Sequence, residues 1–323
     1  MSIILFWSPF HGQGQTSNMH ALALCANLIY GKSILLMHTQ FEKNNLESPL
    51  IGQNVDKDKA FDDPLFQDIG LDMAVTYSNM NRLTKNVLES CCISFADSTL
   101  LLLPGTEIKN RESFMRDTGR TVGRMIQKAN EYVDMVLIDS NSGDDELSFR
   151  LMELADVIVI NLTQRRYILD RFFADYGEFF QEKKIFYLFG YYDDNSVYNI
   201  SNCCRKYKKY IRKSNFGLVP YSTRYLDAQN EGSVFSFMQD GMCRDEYGSI
   251  KRHLSLVGRR LRAGRDLFDE TEYFYSMTLF STGRLLAVLE TSKGDGRYGK
   301  SIESKKACET KSAECMGKEE CPA

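Results

Sequence analysis

The chain has 323 residues, 43% of them hydrophobic, and a formal net charge of −3. That is enough material for a sizeable core, as one large α/β domain or two small ones. The charge excludes a global pull toward nucleic acid or anionic membranes, so any basic surface must be local.

SIILFW (2–7) is a short apolar run that stops at a glycine-containing loop, SPFHGQGQTS (8–17), and reads as a buried strand. Thr16, Ser17 and Asn18 then stand as hydroxyl and amide caps before MHALALCANLIY (19–30), whose apolar spacing suits a helix. Gly31 and Lys32 end it, and SILLMHT (33–39) is a second buried strand. Strand, glycine loop, helix and strand make a βαβ unit. Further on, LLLLPG (100–105), VDMVLIDS (133–140), ADVIVINL (155–162), KIFYLFG (184–190) and FGLVPY (216–221) read as strands. GRTVGRMIQKANEY (119–132) and RRYILDRFFADYGEFFQEK (165–183) read as helices. Continuous apolar runs alternating with helices predict an α/β fold, a mostly parallel sheet sandwiched between helices in three layers.

Residues 1–240 are expected to form this domain, with 241–290 a helical segment packed on it. Residues 291–323 are charged and nearly free of large apolar side chains, and read as a disordered tail. The nine cysteines show no C-x-x-C spacing, so neither a zinc nor a thioredoxin-type site is indicated, and free thiols in a reducing compartment are expected. The N-terminal text lacks a basic n-region, so no secretory signal is expected. YFYSMTLFSTGRLLAVL (273–289) is the most apolar stretch, but Arg284 interrupts it short of the roughly 20 residues a bilayer span needs.

The loop has the parts of a phosphate cradle. Gly12 and Gly14 allow successive backbone N–H groups to face anionic oxygens, and the helix that follows adds its positive end. Thr16 sits where a hydroxyl would hold Mg²⁺. The position that should be lysine is Gln15, and the opening glycine is Pro9. A plain glycine turn between strand and helix is the alternative.

The order of features resembles the MinD/ParA family of deviant P-loop ATPases over roughly residues 1–240. The family loop K-G-G-V-G-K-T-T lies over Phe10, His11, Gly12, Gln13, Gly14, Gln15, Thr16 and Ser17. YVDMVLIDSNSG (132–143) is similar to Y-D-x-V-I-I-D-T-P-A-G, which places the Walker B aspartate at Asp139 and the switch II glycine at Gly143. A cap on the following turn is the alternative role for Asp139, and its place at the end of an apolar strand beside the candidate phosphate loop favours magnesium. ADVIVINLTQ (155–164) looks like the next family strand. GLVPYSTRYLDAQNEGSVF (217–235) resembles G-x-I-P-x-D-x-x-V-x-x-A-x-x-E-G, with Pro220 and Tyr221 near the base and Ala228, Glu231 and Gly232 on the helix after it.

The resemblance implies ATP and Mg²⁺ as ligands. Gly12, Gln13, Gly14, Gln15, Thr16, Ser17, Pro220 and Tyr221 would line the nucleotide, and Thr16 and Asp139 would hold the metal. The departures imply weak or vestigial binding. Both family loop lysines are gone, one replaced by Phe10 and the other by Gln15. Charge-assisted hydrogen bonds are about twice as strong as neutral ones. Loss of one preorganised donor costs roughly 3–4 kcal/mol of barrier in comparable sites. Turnover should therefore suffer more than binding. The family's D-x-D after the second strand becomes His38 and Gln40, with Glu42 as a stand-in for the second aspartate or simply an exposed glutamate, and the base-reading asparagine lies over Gly190.

Two basic stretches, RKYKKYIRK (205–213) and RRLRAGR (259–265), could contact DNA phosphates or a membrane surface; a solvated helix anchored by Tyr207, Tyr210 and Ile211 is the simpler reading of the first. The resemblance implies a positioning or assembly factor for pilus, secretion or conjugation machinery, of the TadZ/CpaE type, acting through protein partners and as a homodimer. Phe10 is expected to be an exposed contact residue. Nucleic acid is not expected as a partner, and a membrane only peripherally, at the inner face of a cytoplasmic location. The rival readings are an active partition-type ATPase and a DNA-binding partition protein using 205–213.

Overall fold

Ser2–Trp7 (β1) lies near the middle of an eight-stranded sheet, and each of its residues is buried. Its side chains alternate between two cores. Ile3, Leu5 and Trp7 enter one, and Ile4 and Phe6 the other. A strand covered on both faces must be apolar at every position, which is why the sequence shows a continuous run and not an alternation. The computed structural model describes residues 1–40, 45–52, 69–108, 110–180, 183–242 and 270–291.

In chain order the elements are β1, α1 (Gln15–Leu28), β2 (Ile34–His38), α2 (Ser48–Ile51), α3 (Leu71–Asn79), α4 (Lys85–Ser90), β3 (Ile93–Ser94), β4 (Leu100–Leu102) and α5 (Arg111–Phe114). A π turn over Met115–Gly119 leads into α6 (Val122–Ala129) and β5 (Met135–Asp139). Then come α7 (Glu146–Leu154), β6 (Val157–Leu162), α8 (Arg166–Asp175), β7 (Ile185–Tyr192), α9 (Ile200–Lys206), β8 (Phe216–Pro220), α10 (Thr223–Glu231), α11 (Val234–Met242) and α12 (Glu270–Glu290). The sheet order is β3-β4-β2-β5-β1-β6-β7-β8. All pairs are parallel except β3 with β4. The chain moves one way from β1 to β2 and the other way from β5 to β6, so the C-terminal ends of β5, β1 and β6 bound the crevice where such folds bind ligands.

Helices α1, α10 and α11 cover one face, and α3, α6, α7 and α8 cover the other. α12 contributes to both cores, Tyr273 and Met277 to one and Phe274, Tyr275 and Leu279 to the other. It also lies along β8. Ser281 Oγ donates to Leu218 O (2.8 Å) and accepts from Leu218 N–H (2.6 Å), and Arg284 donates to Phe216 O (3.2 Å). An edge strand otherwise presents such groups to other chains. At the opposite edge β3 is only two residues long. Arg284 thus anchors α12 on β8 and stacks against Phe216 and Phe280. No helix among the described residues is long and apolar enough to cross a membrane.

Several boundaries differ from the sequence reading. α1 starts at Gln15, four residues earlier than the apolar spacing suggests, because the would-be caps are used elsewhere. Thr16, Ser17 and Asn18 side chains bond to Asp139, Gln229 and Asn161. The helix expected over 165–183 ends at Asp175. Gly177 follows, where a Cβ would meet the backbone oxygen of Phe173 at 2.4 Å and the Tyr210 ring at 2.7 Å. In the basic stretch only Arg205 and Lys206 are helical. Tyr207 and Tyr210 stack on Phe173, with ring centroids 4.5 and 5.0 Å away, while Lys206 pairs with Asp170 and Lys209 with Glu178. Glu42, the second basic stretch 259–265 and the tail 292–323 lie outside the described residues.

Candidate functional site

The loop after β1 rises over the C-terminal rim of the sheet and turns into α1 through two left-handed glycines, Gly12 and Gly14, each with φ of +73°. Side chains are strained in that conformation, so the path itself asks for glycine. Gly14 occupies the N-cap position of α1, and no side chain caps the helix. The first N–H groups of a 14-residue helix therefore open onto the loop, an arrangement that favours an anion.

Beneath the loop, Gln15 is folded inward and is only 7% exposed. Its Nε2 donates toward Asp139 Oδ1 (2.6 Å), Ser140 O (2.7 Å) and Phe6 O (3.0 Å). Three acceptors thus converge on a group with two hydrogens. The opposite amide orientation would set an oxygen against all three acceptors, so the hydrogen-bond network fixes the assignment. Its Oε1 is buried with no partner among the described residues. Thr16 Oγ1 donates to the other carboxylate oxygen, Asp139 Oδ2, at 2.6 Å. Asp139 ends β5 with 0% exposure, and its register neighbours are Phe6 on β1 and His38 on β2. The first helical turn and the tip of β5 are thus joined through one carboxylate.

The remaining predicted residues separate into supports and rim. Gln13 is buried, accepting from Thr163 Oγ1 (2.8 Å) and donating to His11 O (3.2 Å). Ser17 Oγ donates to Gln229 Oε1 (3.2 Å), and Ser17 O accepts from the Tyr225 hydroxyl (2.7 Å). Pro220 is buried at the end of β8, and Tyr221 is 43% exposed just beyond it. Gly143, with φ of +72°, donates its N–H to Ser8 O (2.9 Å) and accepts from the Trp7 indole (3.0 Å). The segment after β5 is thereby pinned to the loop after β1. Phe10 is not fully exposed as expected; it is half-buried against the core, its ring 6.2 Å from that of Tyr167.

His38 and Gln40 take structural partners. His38 Nε2 is 3.1 Å from Glu47 Oε1, and Gln40 Nε2 donates to Ser140 O at 3.2 Å. Gly105 sits so close that a Cβ there would fall 2.1 Å from His38 Nε2. At position 190 a Cβ would strike Asn18 Nδ2 at 2.5 Å, so glycine makes room for the Asn18–Asn161 hydrogen bond (3.1 Å). Sequence reasoning missed Tyr191. It follows Gly190 in a register shift between β7 and β8, has φ of +50°, and lays its ring on Gly14. The only textual hint is the G-Y-Y run at a strand end.

The donor set fits the implied ligands. A hydroxyl and a carboxylate 2.6 Å apart are hard oxygen donors suited to Mg²⁺. Uncapped helix N–H groups and left-handed glycines suit phosphate oxygens. The loop Ser8–Ser17 contains no lysine or arginine. Among the described residues no cluster of His, Cys, Asp and Glu forms a metal site of its own.

No protein-family model matches the chain, and no curated protein does. Solved structures do match. The ParA family ATPase from Chlorobium tepidum TLS is similar with a TM-score of 0.57 at 15% identity, over 76% of this chain and 93% of that one. The septum site-determining protein MinD from Pyrococcus horikoshii OT3, complexed with Mg-ADP, is similar with a TM-score of 0.57 at 13% identity, over 89% and 98%. The MinC:MinD cell division protein complex of Aquifex aeolicus gives 0.54 at 14% identity, over 84% and 99%. The fold is that of the MinD/ParA-type P-loop ATPases.

Proposed function

We propose that this chain is a MinD/ParA-like nucleotide-binding protein that binds ATP weakly with Mg²⁺, hydrolyses it little or not at all, and acts as a positioning or assembly factor through protein contacts. The observation that carries this reading is the Gln15–Asp139–Thr16 junction, in which a neutral amide stands under the phosphate cradle where a cation would be required for transfer chemistry. Phosphoryl transfer is catalysed mainly by positioning and by stabilising charge. Loop amides and the α1 terminus would hold phosphate oxygens. Thr16 and Asp139 would hold Mg²⁺, which when bound would neutralise phosphate charge. Gln15 supplies no charge, and His38 and Gln40, at the end of the second strand, are engaged with Glu47 and Ser140.

Partner binding in place of turnover also suits Phe10 and Tyr167. Tyr167 is 64% exposed and packs beside the loop, so a nucleotide-dependent shift there would be felt by a bound protein, either a second copy or a component of pilus, secretion or conjugation machinery. For the basic stretch, the pairing of Lys206 and Lys209 with carboxylates supports an anchored surface element and not a DNA-binding helix.

The test is calorimetric titration of the full chain with Mg-ATP, repeated on Gln15→Lys. Weak binding that tightens by about 10-fold or more in the variant is expected, because charge-assisted contacts to phosphate are stronger. Brisk turnover by the unaltered protein alone would overturn the reading.

A further inference from the structure

We propose that Tyr191 is the base-binding residue of the nucleotide site, a stacking platform, and that the site accepts adenine and guanine nucleotides without distinguishing them. This rests on the reading of the loop as a phosphate cradle. Tyr191 sits in a bulge: the β7–β8 register runs Phe189 with Leu218 and then jumps to Tyr192 with Pro220. Bulges re-aim side chains and are common beside active sites. Here the bulge turns a tyrosine into the left-handed region, at φ +50°, an unfavourable conformation for a residue with a Cβ. The result is an aromatic ring that is half in solvent yet touches the loop. Tyr191 is 50% exposed, and its Cε2 and Cζ lie 3.1 and 3.3 Å from the point where a Cβ on Gly14 would stand. Nothing in the core requires that placement, because the next residue, Tyr192, supplies the buried ring. Tyr221, also exposed, follows on the neighbouring strand and donates its N–H to Tyr192 O (3.4 Å). The Tyr191 ring therefore stands at the rim against Gly14 of the phosphate cradle, with exposed Tyr221 following the neighbouring strand.

Several side-chain amides among the described residues are already engaged. Asn18 donates to Asn161, and Asn161 to Trp7 O. Gln164 donates to Asp193 O and Tyr198 O and accepts from Asp193 N–H. Gln229 accepts from Ser17. Discrimination between bases by hydrogen bonding needs free polar groups set to pair with one base and left unpaired by the other. Stacking needs only a flat face, which every base offers.

The experiment is calorimetry on the full chain with Mg-ATP, Mg-GTP and inorganic tripolyphosphate, for the unaltered protein, Tyr191→Phe and Tyr191→Gly. Glycine suits the left-handed backbone, so the ring is lost without disturbing the fold. Mg-ATP and Mg-GTP should bind within about 3-fold of each other, and both about 10-fold or more tighter than tripolyphosphate, as base–aromatic stacking allows. Tyr191→Phe should keep that advantage and Tyr191→Gly should abolish it, with tripolyphosphate affinity unchanged. A preference for one purine above about 30-fold, or nucleotide binding that is unchanged or tighter in Tyr191→Gly, would overturn the inference, the last outcome marking the ring as an obstruction. Failure of tripolyphosphate itself to bind would instead refute the phosphate cradle and remove the basis of this inference with it.

Discussion

Replacing Gln15 by alanine removes the amide that ties the loop to the tips of β1 and β5. A hydrogen bond to a carboxylate contributes about 1.5–3 kcal/mol and a neutral one about 0.5–1.5. Two amide hydrogens shared over Asp139 Oδ1, Ser140 O and Phe6 O therefore supply about 2–4.5 kcal/mol gross. Against this, the variant also removes the buried, unpartnered Oε1, whose desolvation costs about 1–3 kcal/mol. The net destabilisation should be about 1.5 kcal/mol, read as a lower unfolding free energy at unchanged urea m-value. The specific part is the coupling to Asp139. In an Asp139→Asn background the same substitution should cost less, leaving an interaction energy of about 1 kcal/mol in the double-mutant cycle. Additivity to within about 0.3 kcal/mol would show that Gln15 does not engage Asp139, and the reasoning from the junction would fail.

Four further outcomes follow from the packing. His20 is wholly buried, and burial, only partly offset by its hydrogen bond to Leu46 O, lowers its pKa from the ordinary 6.5 to about 4. The unfolded chain therefore takes up this proton first as pH falls. Stability should drop by roughly 3 kcal/mol between those two values, and H20Q should flatten that part of the urea-midpoint profile against pH. Gly232→Ala should destabilise by at least about 2 kcal/mol in thermal unfolding, since φ is +69° and the new Cβ would fall 2.0 Å from Gly52 Cα, which is backbone and cannot swing aside. Tyr207→Ala should cost on the order of 3 kcal/mol by losing its buried stack on Phe173. Neutralising Lys206 and Lys209 together should leave the melt unchanged, and random duplex DNA should bind neither the variant nor the unaltered protein in a filter-binding assay.

Much of the sheet was legible because strands covered on both faces must be apolar throughout, and glycine-bearing loops punctuate them. β1, β2, β5, β6, β7 and β8 fall on the runs read from the sequence to within two residues at either end. That Asp139 and Thr16 lie side by side was legible from the resemblance, which set a strand-end carboxylate beside a loop hydroxyl. The short helices α2 and α4 were not, since four to six residues carry too little periodicity. Nor was the inward turn of Gln15, whose acceptors come from positions 9, 124 and 125 residues away. Tyr191 was hidden for a related reason. A bulge is a mismatch between two strands, and one strand's text cannot show it.

The seam between α12 and β8 carries a consequence for biosynthesis. Ser281 is 63 residues downstream of the Leu218 groups it covers. A nascent chain therefore completes β8 well before the segment that shields it has left the ribosome, and domains begin folding while synthesis continues. A premature stop before residue 270 would release a sheet with one raw margin, inviting strands of neighbouring molecules to add to it, so such fragments should collect in inclusion bodies while the finished chain does not.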